Sequence, residues 1–450
     1  MPSTNQIVLF GAGKSAGVLI DYLKNISAKN KWHILVADYD LPAVQEKVGV
    51  HEFVKAVQIN INDEEARQSL VESAIVVISM LPHALHYLIA QDCILSSKHL
   101  LTASYIDEKI RALENEINAK GLFFLCEMGL DPGIDHMSAM KILDAIKNEN
   151  GIVTSFKSHC GGLVAPEDDD NPWHYKISWN PRNIVLAGKA GAEFIENGET
   201  IKCTYDEVFS GHSKVTITDE MELAYYPNRD SLSYISLYHL ENARTFVRTT
   251  LRYPEFIEGW KHIVSLRFTD ETLMHDTGNM TIADFFKTHL EKYGFLNPDF
   301  PFTKEEFGFE NNALSKDKLF IQQMEFLGLH EQQIIDRGRC SAADIFQSIL
   351  ETKLKLNPAD KDMIVMLHEI EYVLNNATKK IHSSLVVKGE NSILTAMAKT
   401  VGLPLGIAAT LILEGKLKVT GLHIPVLPEI YNPVLERLEE EGIQFNETIS

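Results

Sequence analysis

Four short segments of this chain carry residues whose types and spacing can do chemistry. The first is a glycine-rich turn, Gly11-Ala12-Gly13-Lys14-Ser15-Ala16-Gly17, after the apolar run Ile7-Val8-Leu9-Phe10. Gly11 permits a tight turn, and Gly13 lets the backbone approach a pyrophosphate on the N-terminus of the next helix. Asp38 ends a second apolar run, Ile34-Leu35-Val36-Ala37, about twenty residues after Gly17. A carboxylate at that distance can bond the adenosine ribose hydroxyls. The spacing is GxGxxxG and not GxGxxG, so a glycine turn without a cofactor is the alternative. A carboxylate there repels a 2′-phosphate, and Tyr39-Asp40-Leu41-Pro42 brings no arginine, so NAD(H) is expected over NADP(H).

The second segment is Gly129-Leu130-Asp131-Pro132-Gly133-Ile134-Asp135-His136-Met137. Asp131 stands in a Pro/Gly turn, with Pro132 placed to begin a helix; a bare capping role for Asp131 is the alternative. The third runs from His159-Cys160-Gly161-Gly162 to Tyr175-Lys176-Ile177-Ser178-Trp179. Two glycines after a cysteine let backbone and thiol approach a ligand, unless the cysteine is a buried one beside a bulge. The fourth holds Arg229 in Tyr226-Pro227-Asn228-Arg229-Asp230-Ser231 and Arg252 in Thr250-Leu251-Arg252-Tyr253. A guanidinium fork suits carboxylates, although an ordinary surface Arg–Asp pair would explain either arginine.

The elements that must position these residues alternate along the first 130 positions. Apolar strand patterns fall at 6–10, 33–37, 54–60, 74–80, 99–103 and 122–126, with helical patterns at 15–27, 63–72, 83–96 and 107–119. Repeated βα units predict an α/β fold with a mostly parallel sheet, whose ligands sit at the carboxyl ends of its strands. Three turns fall there: Asn60-Ile61-Asn62-Asp63, Ser79-Met80-Leu81-Pro82 and Thr102-Ala103-Ser104-Tyr105. From 131 to about 253 short β-like runs predict a mixed α/β domain, and from about 254 helical periodicity predicts a small insert with its own core. Met397–Leu413 and Pro433–Gly442 read as helices.

Net charge is −20, spread along the chain, which argues against nucleic acid or an anionic membrane as partner. The first six residues lack a basic region followed by an apolar core, so no secretory leader is expected. No apolar stretch is expected to cross a bilayer. Cys93, Cys126, Cys160, Cys203 and Cys340 lie far apart without a CxxC, which predicts no metal site and no disulfide framework, and fits a reducing cytoplasm.

Together, Gly-Leu-Asp-Pro-Gly-Ile-Asp-His-Met, Cys-Gly-Gly-x-x-Ala-Pro-Glu, Tyr-Lys-x-Ser-Trp, Tyr-Pro-Asn-Arg-Asp-Ser and Thr-Leu-Arg-Tyr resemble the glutamate-forming saccharopine dehydrogenase (saccharopine reductase) family. Lys361–Met366 and Ala396–Pro404 extend the resemblance late into the chain. It implies a variant Rossmann domain over 1–130 completed by 391–450. A substrate and dimerisation domain over 131–253 and 376–390 would follow, with a helical insert over 254–375. The implied reaction interconverts saccharopine with L-glutamate and 2-aminoadipate 6-semialdehyde by hydride transfer, a step of lysine metabolism in a homodimer. By motif match, Ser104, Tyr105, Asp131, Arg229, Thr250, Leu251 and Arg252 would contact saccharopine, and Cys160, Ser178 and Trp179 would line the pocket. Gly11, Gly13, Lys14, Ser15, Gly17, Asp38, Asn60, Ile61, Leu81, Pro82, Ala103 and Ser104 would hold the cofactor.

Saccharopine carries three carboxylates, so Arg229, Arg252 and Lys176 suit it as counter-charges. Asp131, Tyr105 and Cys160 are the candidates to move or orient the proton. His159, Val164 and the acidic run Asp168-Asp169-Asp170 depart from the family pattern and bear on substrate choice. Two other readings are a related imine-reducing dehydrogenase of the carboxynorspermidine synthase type and a non-catalytic NAD-binding sensor.

Overall fold

The computed structural model describes residues 6–211, 213–296, 314 and 317–450. Residues 1–5, on which the expectation about a leader rests, and 297–313, 315 and 316, inside the expected insert, lie outside them. The chain forms two compact units: residues 1–154, 236–241 and 368–450, and residues 155–235 and 242–367.

The first unit is built on parallel strands β1 (Gln6–Phe10), β2 (His33–Asp38), β3 (Val54–Gln58), β4 (Val76–Ser79), β5 (His99–Thr102) and β6 (Phe123–Leu125). The sheet order is β6-β5-β4-β1-β2-β3, with Gly421–His423 added parallel beside β6. Ile7 aligns with Ile34 on one side and Val76 on the other. Both faces of β1 and β4 are buried, which is why they read as unbroken apolar runs instead of alternating ones. Helices α1 (Gly17–Asn30), α2 (Leu41–Val48), α3 (Glu64–Ser73) and α4 (His86–Ser96) make the crossovers. Asp40 and Asp63 cap α2 and α3 by accepting backbone N–H bonds from Ala43 and Ala66, each at 3.1 Å.

The expectation that no apolar stretch could cross a bilayer is corrected by one helix. Ala396–Leu413 has 18 residues and a mean hydropathy of 1.7, yet 78% of it is buried inside the unit. It packs on α1 through Gly402 and Gly406, where a Cβ would stand 3.0 Å from Leu19 Cβ and 2.6 Å from Tyr22 Cδ1. This is a core helix, close-packed through small residues.

The second unit holds a mixed sheet. Thr245–Arg252 runs parallel to residues 155–160 and antiparallel to Met221–Pro227, which pairs in turn with Ser213–Thr218. Ala192–Glu196 and Glu199–Cys203 form a hairpin beside them. The helical segments have no core of their own: Trp173, Tyr175, Val185 and Tyr226 share one with Trp260, Phe285, Phe346 and Leu350. Gln323 ties them further, donating to the carbonyls of Pro172 at 3.0 Å and Glu255 at 2.9 Å. The expected boundary at residue 130 also shifts. Helix Ile134–Asn148 belongs to the first unit, where the Tyr431 hydroxyl donates to Asp144 at 2.6 Å.

Candidate active site

In the first unit the glycine turn follows β1. Gly11 has φ +96°, and a Cβ there would lie 2.8 Å from the Met80 carbonyl oxygen, so only glycine fits against the turn after β4. Leu81 and Pro82 continue that turn. A Cβ at Gly13 would meet nothing within 4 Å, which leaves the outer face of the turn open. The short helix Lys14–Ala16 and α1 both start without a side-chain cap. Open space, uncapped N–H groups and a positive helix end fit a pyrophosphate.

Both oxygens of the Asp38 carboxylate bond the backbone. Oδ2 accepts the Ala12 N–H at 2.7 Å and Oδ1 the Asp40 N–H at 3.2 Å, so the acid braces the glycine turn from inside. Lys47, a turn of helix beyond Tyr39–Pro42, reaches back: its ammonium donates to the Ala12 carbonyl and, at 2.7 Å, to the Gly13 carbonyl. Burial pulls the Lys47 pKa down while Asp38 pushes it up, with a net lowering. Residues 39–42 hold no basic side chain; the fold brings one from position 47. Asn60 turns the chain after β3, its Oδ1 accepting the Asn62 N–H at 3.1 Å, and the Ile61 carbonyl takes an N–H from buried Arg67 at 2.8 Å.

After β5 come Ala103, Ser104 and Tyr105. The Tyr105 hydroxyl lies 3.5 Å from Asp131 Oδ1, so these two candidates meet. Asp131 is not a helix cap. The helix begins at Ile134 with Gly133 at its cap position, and Asp135 accepts the Gly133 N–H at 2.6 Å.

Two buried polar networks grip the same turn, and neither was read from the sequence. In one, His86 Nδ1 lies 2.8 Å from Ser79 Oγ and Nε2 lies 2.7 Å from Ser104 Oγ. Burial, then His83, pushes the His86 pKa down to about 4, so its ring is neutral. In the other, Glu127 accepts the Ile106 N–H at 3.3 Å and pairs with His136 at 3.0 Å, and His136 meets Tyr238 at 2.5 Å. His86 and Glu127 carried only helix-like and strand-end patterns, with no motif to mark them.

In the second unit Cys160 is buried on its strand opposite Thr250. A Cβ at Gly161 would fall 2.4 Å from the Leu251 carbonyl oxygen. That glycine therefore makes room for the neighbouring strand, not for a ligand. Leu251 is wholly buried with Leu163 and Val365, and its carbonyl is turned to Gly161 and the Arg252 guanidinium, so it offers no exposed surface to a ligand. The Arg252 guanidinium stands 5.3 Å from the Tyr175 ring and 5.6 Å from the Phe256 ring, and donates from Nη1 to the Leu251 carbonyl at 2.7 Å. Its Nε is buried without a hydrogen-bond partner among the described residues. An orphan N–H on a desolvated guanidinium is what an incoming carboxylate would satisfy.

Arg229 lies apart from Arg252 along the sheet. It has φ +55° and lines, with Lys202, Cys203 and Glu193, an open cavity of about 240 Å³. Lys176 is committed elsewhere: its buried ammonium meets Asp360 at 2.7 Å and Asp170 at 2.9 Å. Burial works against its charge, but the two carboxylates outweigh it and raise its pKa. The rest of the acidic run is also structural. Asp169 binds His174 at 2.6 Å, and Asp168 accepts the Lys361 N–H at 2.9 Å. His159 pairs with Thr249 at 2.7 Å. Ser178 is buried and Trp179 partly so, both on the stretch that leads from Lys176.

Fold and site define an α/β chain with a Rossmann-type nucleotide unit and a second, mixed-sheet unit that presents a desolvated arginine. Residues 7–125 match the model of the saccharopine dehydrogenase NADP binding domain, and residues 129–443 that of the saccharopine dehydrogenase C-terminal domain. The chain belongs to the saccharopine dehydrogenase family. It is similar to apo saccharopine dehydrogenase (L-Glu forming) from Saccharomyces cerevisiae, with a TM-score of 0.88 and 30% identity over 99% of this chain and 100% of that one. The curated yeast saccharopine dehydrogenase [NADP(+), L-glutamate-forming] is 32% identical over 98% of each chain. Mitochondrial alpha-aminoadipic semialdehyde synthase from mouse is 34% identical over 99% of this chain but 48% of its own length, so the chain spans about half of that relative.

These relatives overturn the preference for NAD. The matched domain is an NADP binding domain and the yeast relative is named for NADP(+). The spacing argument weighed the acid at the end of β2 without the cation that the fold sets on the same turn, Lys47, whose ammonium donates to the Ala12 and Gly13 carbonyls.

Proposed function

We propose that this chain is a saccharopine dehydrogenase of the L-glutamate-forming type, using NADP(H). The observation that carries the reading is the end-to-end likeness to the yeast enzyme, which leaves neither chain with an unmatched domain. The nicotinamide cofactor, held by the Gly11–Gly17 turn and the residues after β3, β4 and β5, supplies the hydride acceptor and donor. The protein's share is position and protons. Arg252 takes a saccharopine carboxylate on its orphan N–H, and Arg229 serves a second. Asp131, oriented by the Tyr105 hydroxyl, accepts the proton that the secondary amine loses as its carbon gives up hydride. Water then adds to the imine carbon, and collapse releases glutamate and the semialdehyde.

Free cysteines at all five positions support a reducing compartment, which we take to be the cytoplasm, and the family resemblance supports a homodimer. Light scattering tests the latter. The reaction is tested by offering the purified protein NADPH with 2-aminoadipate 6-semialdehyde plus glutamate, and with aspartate semialdehyde plus a diamine. NADPH loss with the first pair alone supports the reading; loss with the second pair alone sinks it.

A further inference from the structure

We propose that His86 is a positioning residue that fixes the direction of the Ser104 hydroxyl, so that Ser104 donates its proton to a substrate carboxylate. The inference rests on reading this turn as part of a saccharopine site. His86 opens α4, and its ring fills the space between the ends of β4 and β5, where it is 1% exposed. Ser79 is the last residue of β4, and Ser104 lies two residues past β5. The ring touches both hydroxyls, at 2.8 Å and 2.7 Å, with the Thr102 hydroxyl farther off at 3.4 Å from Nε2.

A neutral imidazole has one N–H and one lone-pair nitrogen, so its two bonds must run in opposite senses. Either Nε2–H donates to Ser104 and Nδ1 accepts from Ser79, or the reverse. In the first case the Ser104 oxygen is filled from behind and its O–H points outward as a donor. In the second, Ser104 spends its proton on His86 and presents lone pairs, which repel an anion. Thr102 Oγ1 already accepts the Ser104 N–H at 3.2 Å, which turns the serine backbone toward the ring. A ligand rich in carboxylates selects the first arrangement. Ser79, wholly buried at the strand end, then acts only as the proton source that locks the tautomer.

The test is a mutant cycle read in saccharopine KM and kcat. H86F and S104A should each raise KM about tenfold with kcat changed much less, because a bond made equally in ground and transition states is lost. The double variant H86F/S104A should be no worse than S104A, since the two residues act through one bond. H86Q, whose amide N–H2 reaches the Nε2 position, should recover most of the loss, a result that a space-filling role would not give. Thermal melting checks that each variant folds. Multiplying effects in the double variant, or an unchanged KM in a folded H86F, would overturn the proposal. A wild-type protein silent toward saccharopine would sink the function reading instead. The tautomer is then read without substrate by nitrogen-15 histidine NMR at pH 7.5. A neutral, Nε2-protonated His86 supports the proposal, and an Nδ1-protonated or doubly protonated ring contradicts it.

Discussion

Asp131 precedes Ile134, the first residue of its helix, by three positions, and it is Asp135 that accepts the Gly133 N–H. Its carboxylate faces the Tyr105 hydroxyl instead. Replacing it by Ala should lower kcat by about a hundredfold or more, the usual contribution of a general base, while the melting temperature holds. Arg252 makes a different prediction. Arg252→Lys keeps the charge but loses the planar fork and its stacking on Tyr175 and Phe256, so saccharopine KM should rise about tenfold or more with NADPH binding unchanged. An unchanged KM would remove Arg252 from the site. At this scale the sequence was a partial guide. Charge type pointed to both residues. It could not show that Lys176 is neutralised by Asp170 and Asp360, which lie 6 and 184 positions away. Nor could it show that His86 bonds two serines.

The βα units were legible because strands buried on both faces read as continuous apolar runs, and two of the crossover helices, α2 and α3, are opened by the polar caps Asp40 and Asp63. The glycine turn shows why spacing alone misled about the cofactor. The acid lies at the end of β2 as the spacing has it, but Lys47, five positions beyond Pro42, puts a cation on the same turn. Gly11→Ala should destabilise the first unit by about 1–3 kcal/mol, because φ +96° and the Met80 carbonyl both oppose a Cβ, and should weaken NADPH binding as well. Calorimetry and a fluorescence titration measure the two effects.

The helical segments make a pH prediction. His275 and His289 are buried among Phe268, Phe285 and Tyr293, and burial pushes each down to about 4. The unfolded chain binds protons near the ordinary histidine value of about 6.5, so stability is full above that pH and is lost as pH falls toward 4. Both His275 nitrogens lack partners among the described residues, so His275→Leu should cost little at pH 7.5 and should shrink the fall in melting temperature between pH 7 and 5. An unchanged fall would mean His275 takes no part in it. Helical periodicity marked these segments but suggested a separate core. Their aromatic faces in fact close on Trp173 and Tyr175, an association that no local pattern encodes.

For the whole molecule, two units and the family that they define followed from long motifs more than from composition. A net charge of −20 argued against nucleic acid but said nothing of a tricarboxylate, whose counter-charges are local. The measurement that tests the account most directly is NADPH formation from saccharopine and NADP by the purified protein, with glutamate assayed alongside. The account predicts NADPH and glutamate in equal amounts, strongly reduced in D131A. NADP binding without any NADPH or glutamate from saccharopine would contradict it.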